Sequence, residues 1–417
     1  MSSENKAPDI IARAGKKKVS PTQLDRPPSV KPGLEGQISV SNLPRCFLPT
    51  EGILRGVAAR NSSDIWAVGQ GWDHPKMDMT RPLTMHWDGK CWSEYPCPNM
   101  GLGAELQAVC VVPPDGAIAV GRYADNNQLL PPPVPFAVRW DPNARQWVPI
   151  IPNRIVATDY YISGVSGTSG QDVWLVGNTI PQAGGPSQTH VQHWDGNAWA
   201  VVPSPNVNAQ LFNSLIAVTA LTPNLAFAVG QGNGNETMVQ RWDGKLWKIV
   251  SSPNAPDTRQ LGWNCLSGVA ATSAKSLCAV GTYTPEEKPW AETLILESQV
   301  IDQWRIIAHP PFAGVQELDR HELYGVALDP AGGAWAAGNV MIAGNVNVSH
   351  PLVLHRDKGG PWTVMTDKPK GSAGGLAGVT AVTKSDVWAV GWYHDPNFKW
   401  PFCLLEHWDG NNWRSFP

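Results

Sequence analysis

One short pattern recurs along this chain and constrains its fold more than any other feature. Trp66-Ala67-Val68-Gly69 is followed by six relatives ending at Gly121, Gly177, Gly230, Gly281, Gly338 and Gly391. The intervals are 52, 56, 53, 51, 57 and 53 residues. Before each copy lies an apolar run of the form Leu-x-Gly-Val-Ala. These runs start at Leu54, Leu106, Ile162, Leu215, Leu266, Leu323 and Leu376. After each copy comes a segment ending in His-Trp-Asp-Gly or a relative, as at His86-Trp87-Asp88-Gly89 and His407-Trp408-Asp409-Gly410. A last tryptophan follows in every repeat: Trp92, Trp147, Trp199, Trp247, Trp304, Trp362 and Trp413. The chain has 417 residues, which would suggest two or three ordinary domains, but a fixed period of this length marks a repeat architecture instead.

Each repeat offers four short apolar or alternating runs, a to d, bounded by Gly, Asp, Asn or Pro. Tight turns join them into an antiparallel meander. A single meander of this size leaves a face uncovered, whereas seven stacked radially bury each face against a neighbour. The repeat also accounts for most of the 21 tryptophans. A wide flat ring fills the wedge between twisted blades and buries roughly 150–250 Å². The expectation is an all-β fold: a seven-bladed β-propeller over residues 53–417, four antiparallel strands per blade. The last tryptophan of each repeat should open the outer strand. Residues 1–35 read as a disordered polar tail with mild positive charge, and residues 36–52 as an N-terminal strand and connector. Gln37–Ser41 alternates like a strand and is expected along the edge of blade seven as an extra outer strand.

Strand b ending in glycine, strand c ending in an aromatic plus Asp, and a tryptophan opening strand d resemble the kelch repeat. Arg139-Trp140-Asp141-Pro142 followed by Trp147 is the closest match. The chain departs from that family in having one glycine after strand b instead of two, and Trp where Tyr is usual. Blade five replaces the Trp-Asp pair with Leu296-Glu297-Ser298-Gln299, and blade six has His355-Arg356-Asp357. The resemblance covers Gly52 to Pro417 and implies a propeller. It leaves function open, because kelch-type propellers include scaffolds, substrate adaptors, lectin-like binders and oxidases.

Charge and composition narrow the partners. The net charge is −3 with no basic stripe, so no nucleic acid is expected. The first 30 residues lack a signal-like apolar stretch and no apolar run reaches 18 residues. A cytoplasmic protein without a membrane span follows as the expectation. The seven cysteines are odd in number and do not recur at a repeat position, which argues against a disulfide framework.

In a meander the a–b and c–d turns lie on one face of the ring and the b–c and d–a connections on the other. The first set is short here and the second long, and long loops on a rigid scaffold carry function. Trp72, Trp263, Trp290, Trp392 and Trp400 all lie in that second set. Trp72-Asp73-His74 follows strand b of blade one, and Trp392-Tyr393-His394-Asp395 follows strand b of blade seven, its ring neighbour. Aromatic faces with flanking carboxylates suit sugar rings, and they equally suit a cationic peptide side chain. A second candidate place is the channel mouth, reached by Glu105, Tyr160, Tyr161, Asn213, Asn264, His321 and Glu322. Carboxylates facing His and Tyr there would suit acid–base work, or line a wet channel. The recurrent His86, His193, His355 and His407 read as scaffold, since a repeat position is a structural position. No phosphate loop, nucleophile elbow or metal-binding motif occurs, so no cofactor and no metal are expected. The reading is a non-enzymatic recognition propeller for a glycan or peptide. An enzyme with its site at the channel mouth and an assembly scaffold remain as alternatives.

Overall fold

The computed structural model describes residues 50–416 apart from 73–79, 99–100, 115, 125–132, 183, 257, 259–261, 288–289, 309–319, 342–347 and 366–372. The propeller lies in the compact unit Pro44–Pro417, and the other unit, Met1–Leu43, falls outside the described residues. The expected strand at Gln37–Ser41 therefore also lies outside them.

The described residues form 28 strands in seven four-stranded antiparallel sheets, each in the order a-b-c-d. Blade one runs from Gly52 to Glu94, blade two from Leu102 to Pro149 and blade three from Ala157 to Val201. Blade four runs from Ser214 to Val250, blade five from Asn264 to Ile306, blade six from Arg320 to Val364 and blade seven from Ala373 to Phe416. The last repeat tryptophan opens strand d to within one residue in every blade. Each strand a packs on strand a of the next blade, and that of blade seven returns to blade one, so the ring is closed. No helix among the described residues is long and apolar enough to cross a membrane.

The sequence pattern has a local cause. Strand a carries a β-bulge at the x of Leu-x-Gly-Val-Ala in all seven blades. The bulge turns the preceding carbonyl toward strand b. A methyl on Gly69 would overlap the carbonyl oxygen of Ile53, and one on Gly230 that of Ser214. The other five recurrent glycines face the same obstruction. Glycine is required there because a side chain would collide with backbone, not because of its φ.

Each interface between blades holds its own apolar core. In four of them the strand-b tryptophan is the keystone. Trp174 lies 4.4 Å from the His193 ring of its own blade and receives Trp242 and Trp247 of the next at 4.8 and 5.2 Å. Trp66 and Trp335 do the same, and Trp388 of blade seven meets Trp87 and Trp92 of blade one. Three of the recurrent histidines also bond the aspartate that opens strand b: His86 to Asp64 at 2.8 Å, His193 to Asp172 at 2.7 Å and His407 to Asp386 at 2.9 Å. Each of these imidazoles packs on the strand-b tryptophan of its own blade.

Closure adds one further device. Gly52 N–H donates to the Pro401 carbonyl at 2.9 Å, Cys403 N–H to the Thr50 carbonyl at 3.0 Å, and Glu51 bridges Phe402. The chain entering blade one thus pairs with strand c of blade seven beyond the end of its strand d. Among the described residues no disulfide joins Cys91 to Cys97. Burial pushes the Cys97, Cys110 and Cys265 thiols up to about 12.

Candidate functional site

The bulge residues are also the channel wall. Arg55, Gln107, Ser163, Ile216, Ser267, Tyr324 and Ala377 line a central channel of about 1510 Å³. A bulge re-aims a side chain, and here it aims one residue per blade at the axis. Tyr324 is the one aromatic ring among the seven, and its neighbours in the ring, Ser267 and Ala377, are small.

On the b–c/d–a side the channel reaches residues of blades six and seven, among them Asn339 and Gly375. The residue before the repeat leucine is Glu105, Tyr161, Ser214, Cys265 or Glu322 in blades two to six, but Gly375 in blade seven. Without a side chain there, the Trp392 indole lies across the strand. A Cβ on Gly375 would stand 3.5 Å from Trp392 Nε1 and 3.4 Å from the Asn339 Cβ. Trp392, His394, Met341 and Glu322 also line the channel here.

The structure separates the expected rim cluster into parts. Trp72 stacks on Trp400 across the seam of blades one and seven, and both are half-buried. Lys399 Nζ sits 4.7 Å from the centre of the Trp400 ring. Trp392 and His394 face the channel, whereas Tyr393 is buried and stacks on Phe402 at 5.5 Å. Alternation along strand b separates them. The Asp395 carboxylate accepts from the Asn397 N–H and amide, both at 2.9 Å. Asp73 and His74 lie outside the described residues. Trp263 and Trp290 are far more open, at 47% and 40% exposure.

Of the residues expected at the channel mouth, only Tyr161 is exposed. Glu105 is shared by Arg122 at 2.7 Å and Arg55 at 3.4 Å. Arg122 also stands over the Tyr161 ring at 5.0 Å, and a hydrogen bond to Asp159 pushes the Tyr161 hydroxyl up. Glu322 takes an ion pair from Arg320 and a hydrogen bond from Tyr324. Burial, and then the Glu322 charge, push the Tyr324 hydroxyl up. The Tyr160 hydroxyl bonds the backbone of Ile155. His321 is buried with its Nδ1 3.9 Å from Glu292. Asn213 and Asn264 are buried loop clamps. Asn213 Oδ1 accepts from Val207 N–H at 3.0 Å while its amide donates to the Asn208 carbonyl at 2.8 Å. Asn264 Oδ1 accepts from Ala255 N–H at 2.9 Å and its amide donates to Thr258 Oγ1 at 3.0 Å.

The larger feature is the distribution of exposed rings. Six aromatic side chains are exposed among the described residues: Tyr161, Phe212, Trp263, Trp290, Tyr324 and Phe398. All six belong to the channel wall or to the b–c/d–a face, and none to an a–b or c–d turn. Phe212 and Phe398 were not among the sequence candidates. A signal for the first was present: Ser204-Pro205-Asn206 and Ser252-Pro253-Asn254 repeat after strand d of blades three and four, and each leads to an aromatic-Asn pair.

No protein-family model matches this chain, and no curated protein does. Among solved structures the chain is similar to YCF48 from Cyanidioschyzon merolae, at 14% identity and a TM-score of 0.49 over 88% of this chain and 98% of that one. It is also similar to YCF48 bound to D1 peptide, at 14% identity and a TM-score of 0.37 over 88% of this chain and 82% of that one.

Proposed function

We propose that this chain is a non-enzymatic recognition propeller that binds a peptide segment of a partner protein on its b–c/d–a face. The observation that carries the reading is the placement of all six exposed aromatic rings on that face or on the channel wall. Exposed rings gathered on one side of a rigid scaffold mark an interaction surface. A peptide fits better than a glycan. The sugar reading asks for carboxylates free to take hydroxyl groups, and Glu105, Glu322 and Asp395 are already engaged by protein donors. The rings are also spread over blades three to seven, a span suited to an extended chain.

The test is selection of short random peptides displayed on phage against the immobilised chain. Tyr324→Ala and Trp290→Ala should each weaken the selected peptides by roughly 1–2 kcal/mol, the scale of an interface anchor. Lys245→Ala, in a c–d turn on the opposite face, should leave them unchanged. If no peptide is retained while glycans on an array are, the peptide reading is wrong.

A further inference from the structure

Two adjacent d–a loops are built to the same plan. In the first, Asn206 Oδ1 accepts from Thr189 N–H of strand c at 2.9 Å, and Asn254 Oδ1 does the same for Thr237 in the second, at 2.8 Å. Gln240 of blade four, fully buried, holds the first loop further by donating to the Pro205 carbonyl at 2.8 Å. The far ends are closed by the buried Asn213 and Asn264. Backbone bonds then stitch each aromatic-Asn pair between two b–c turns. The Phe212 carbonyl accepts from Gly234 N–H at 2.9 Å, and Asn213 N–H donates to the Ser187 carbonyl at 3.0 Å. One blade on, the Trp263 carbonyl accepts from Thr284 N–H at 3.0 Å, and Asn264 N–H donates to the Asn235 carbonyl at 2.9 Å.

The rings displayed by these pinned backbones are open to solvent. Phe212 is 42% and Trp263 47% exposed, with Leu211 beside the first. The equivalent residue elsewhere is Glu51, Gly103, Asp159, Arg320 or Ala373, so blades four and five alone carry a ring there. A large apolar side chain held in solvent on a loop fixed at both ends is pre-organised for contact, since little ordering entropy remains to be lost on binding.

The charge pattern says what kind of partner fits. None of residues 179–189, 202–213 or 232–235 is charged, in a chain where 16% of residues are. These segments are Asn, Gln, Ser, Thr, Pro and Gly around apolar residues, a composition that makes hydrogen bonds without charge. The first charge at the border, Glu236, is bonded to Asn233 at 3.0 Å. In the second loop Asp257 and Arg259 carry opposite charges, and Glu286 and Glu287 stand in the b–c turn whose Thr284 N–H bonds the Trp263 carbonyl. A charged partner would lose hydration against the first loop and gain no counter-charge there.

We infer that Phe212 and Trp263 form a two-point aromatic ledge that takes an extended, uncharged protein segment with two apolar anchors, one against each ring. The inference rests on the peptide-binding reading above and names the partner's chemistry within it. Its test uses the same phage-displayed peptides on the full chain. Selected sequences should be poor in Asp, Glu, Lys and Arg, and their affinity should be the same in low and high salt. Phe212→Ala and Trp263→Ala should each weaken them roughly tenfold with unchanged thermal unfolding, and Trp263→Phe should recover most of the loss. Peptides that bind but ignore both alanine variants, or that weaken with salt, overturn the ledge and leave the broader reading standing. Retention of no peptide at all overturns both. Glycan binding lost on Trp263→Ala assigns the ledge to a sugar and overturns the inference.

Discussion

The Trp72 indole stacks on that of Trp400 with ring centres 5.2 Å apart and planes 17° from parallel, joining blade one to blade seven. Neither ring is open enough to serve as a free platform. The pair sits in the same seam as the Gly52–Pro401 hydrogen bond, where the first and last blades must be held without a shared strand. Its role in closure has a measurable signature. Trp72→Ala and Trp400→Ala should be coupled by roughly 0.5–1.5 kcal/mol in a double-mutant cycle of chemical unfolding. Strictly additive losses would mean that the stack does not help to hold the seam.

The strand-b glycine makes a second prediction. Gly230→Ala places a methyl on the Ser214 carbonyl oxygen, and neither atom belongs to a flexible side chain. The cost should be roughly 1–3 kcal/mol or more, as for an overpacked core. Gly170→Ala, with nothing within 4 Å of the new methyl, should stay within about 0.5 kcal/mol. Equal unfolding midpoints for the two variants would mean that collision with the bulge carbonyl is not what keeps glycine at this position.

Tryptophans inside and outside the repeat should behave oppositely. Trp199 is 4% exposed and its Nε1 donates to the Ile150 carbonyl at 2.7 Å. Trp199→Ala should cost roughly 3–5 kcal/mol of stability. Trp263→Ala should change stability by no more than about 0.5 kcal/mol, because nearly half of the ring is already in water. Calorimetry on the two variants decides the matter.

His190 gives a pH dependence. Burial pushes its imidazole down to about 4 from an ordinary value of 6.5, and its Nε2 lies 2.9 Å from the Gln192 amide, whose hydrogen the neutral ring accepts. The unfolded chain therefore binds a proton between these values that the folded chain refuses. Stability from this group is complete above pH 6.5 and falls as the pH drops toward 4, by about 3 kcal/mol in all. His190→Gln should flatten that part of the stability profile. The same slope in the variant and the parent would assign the loss to other groups.

The repeat, the number of blades and the strand order can all be read from the order of amino acids. They are legible because each blade must solve the same packing problem, and the same solution leaves the same residues: a leucine in the core, a glycine under the bulge, a tryptophan opening strand d. The face with the long connections is marked in the same way. Which loop residues share a surface is another matter, and the folded ring settles it. Trp392 and Tyr393 are adjacent in sequence, yet strand alternation turns one to the channel and the other to the core. Asn213 and Asn264 read as channel-mouth residues from their position, but the fold engages their amides within their own loops. Phe212 went unnoticed because exposure is set by how a loop is pinned, through Asn206, Gln240 and Gly234, and these contacts join residues far apart along the chain. A packing position recurs with the period of the chain, whereas a binding position is defined by neighbours that only the closed ring brings together.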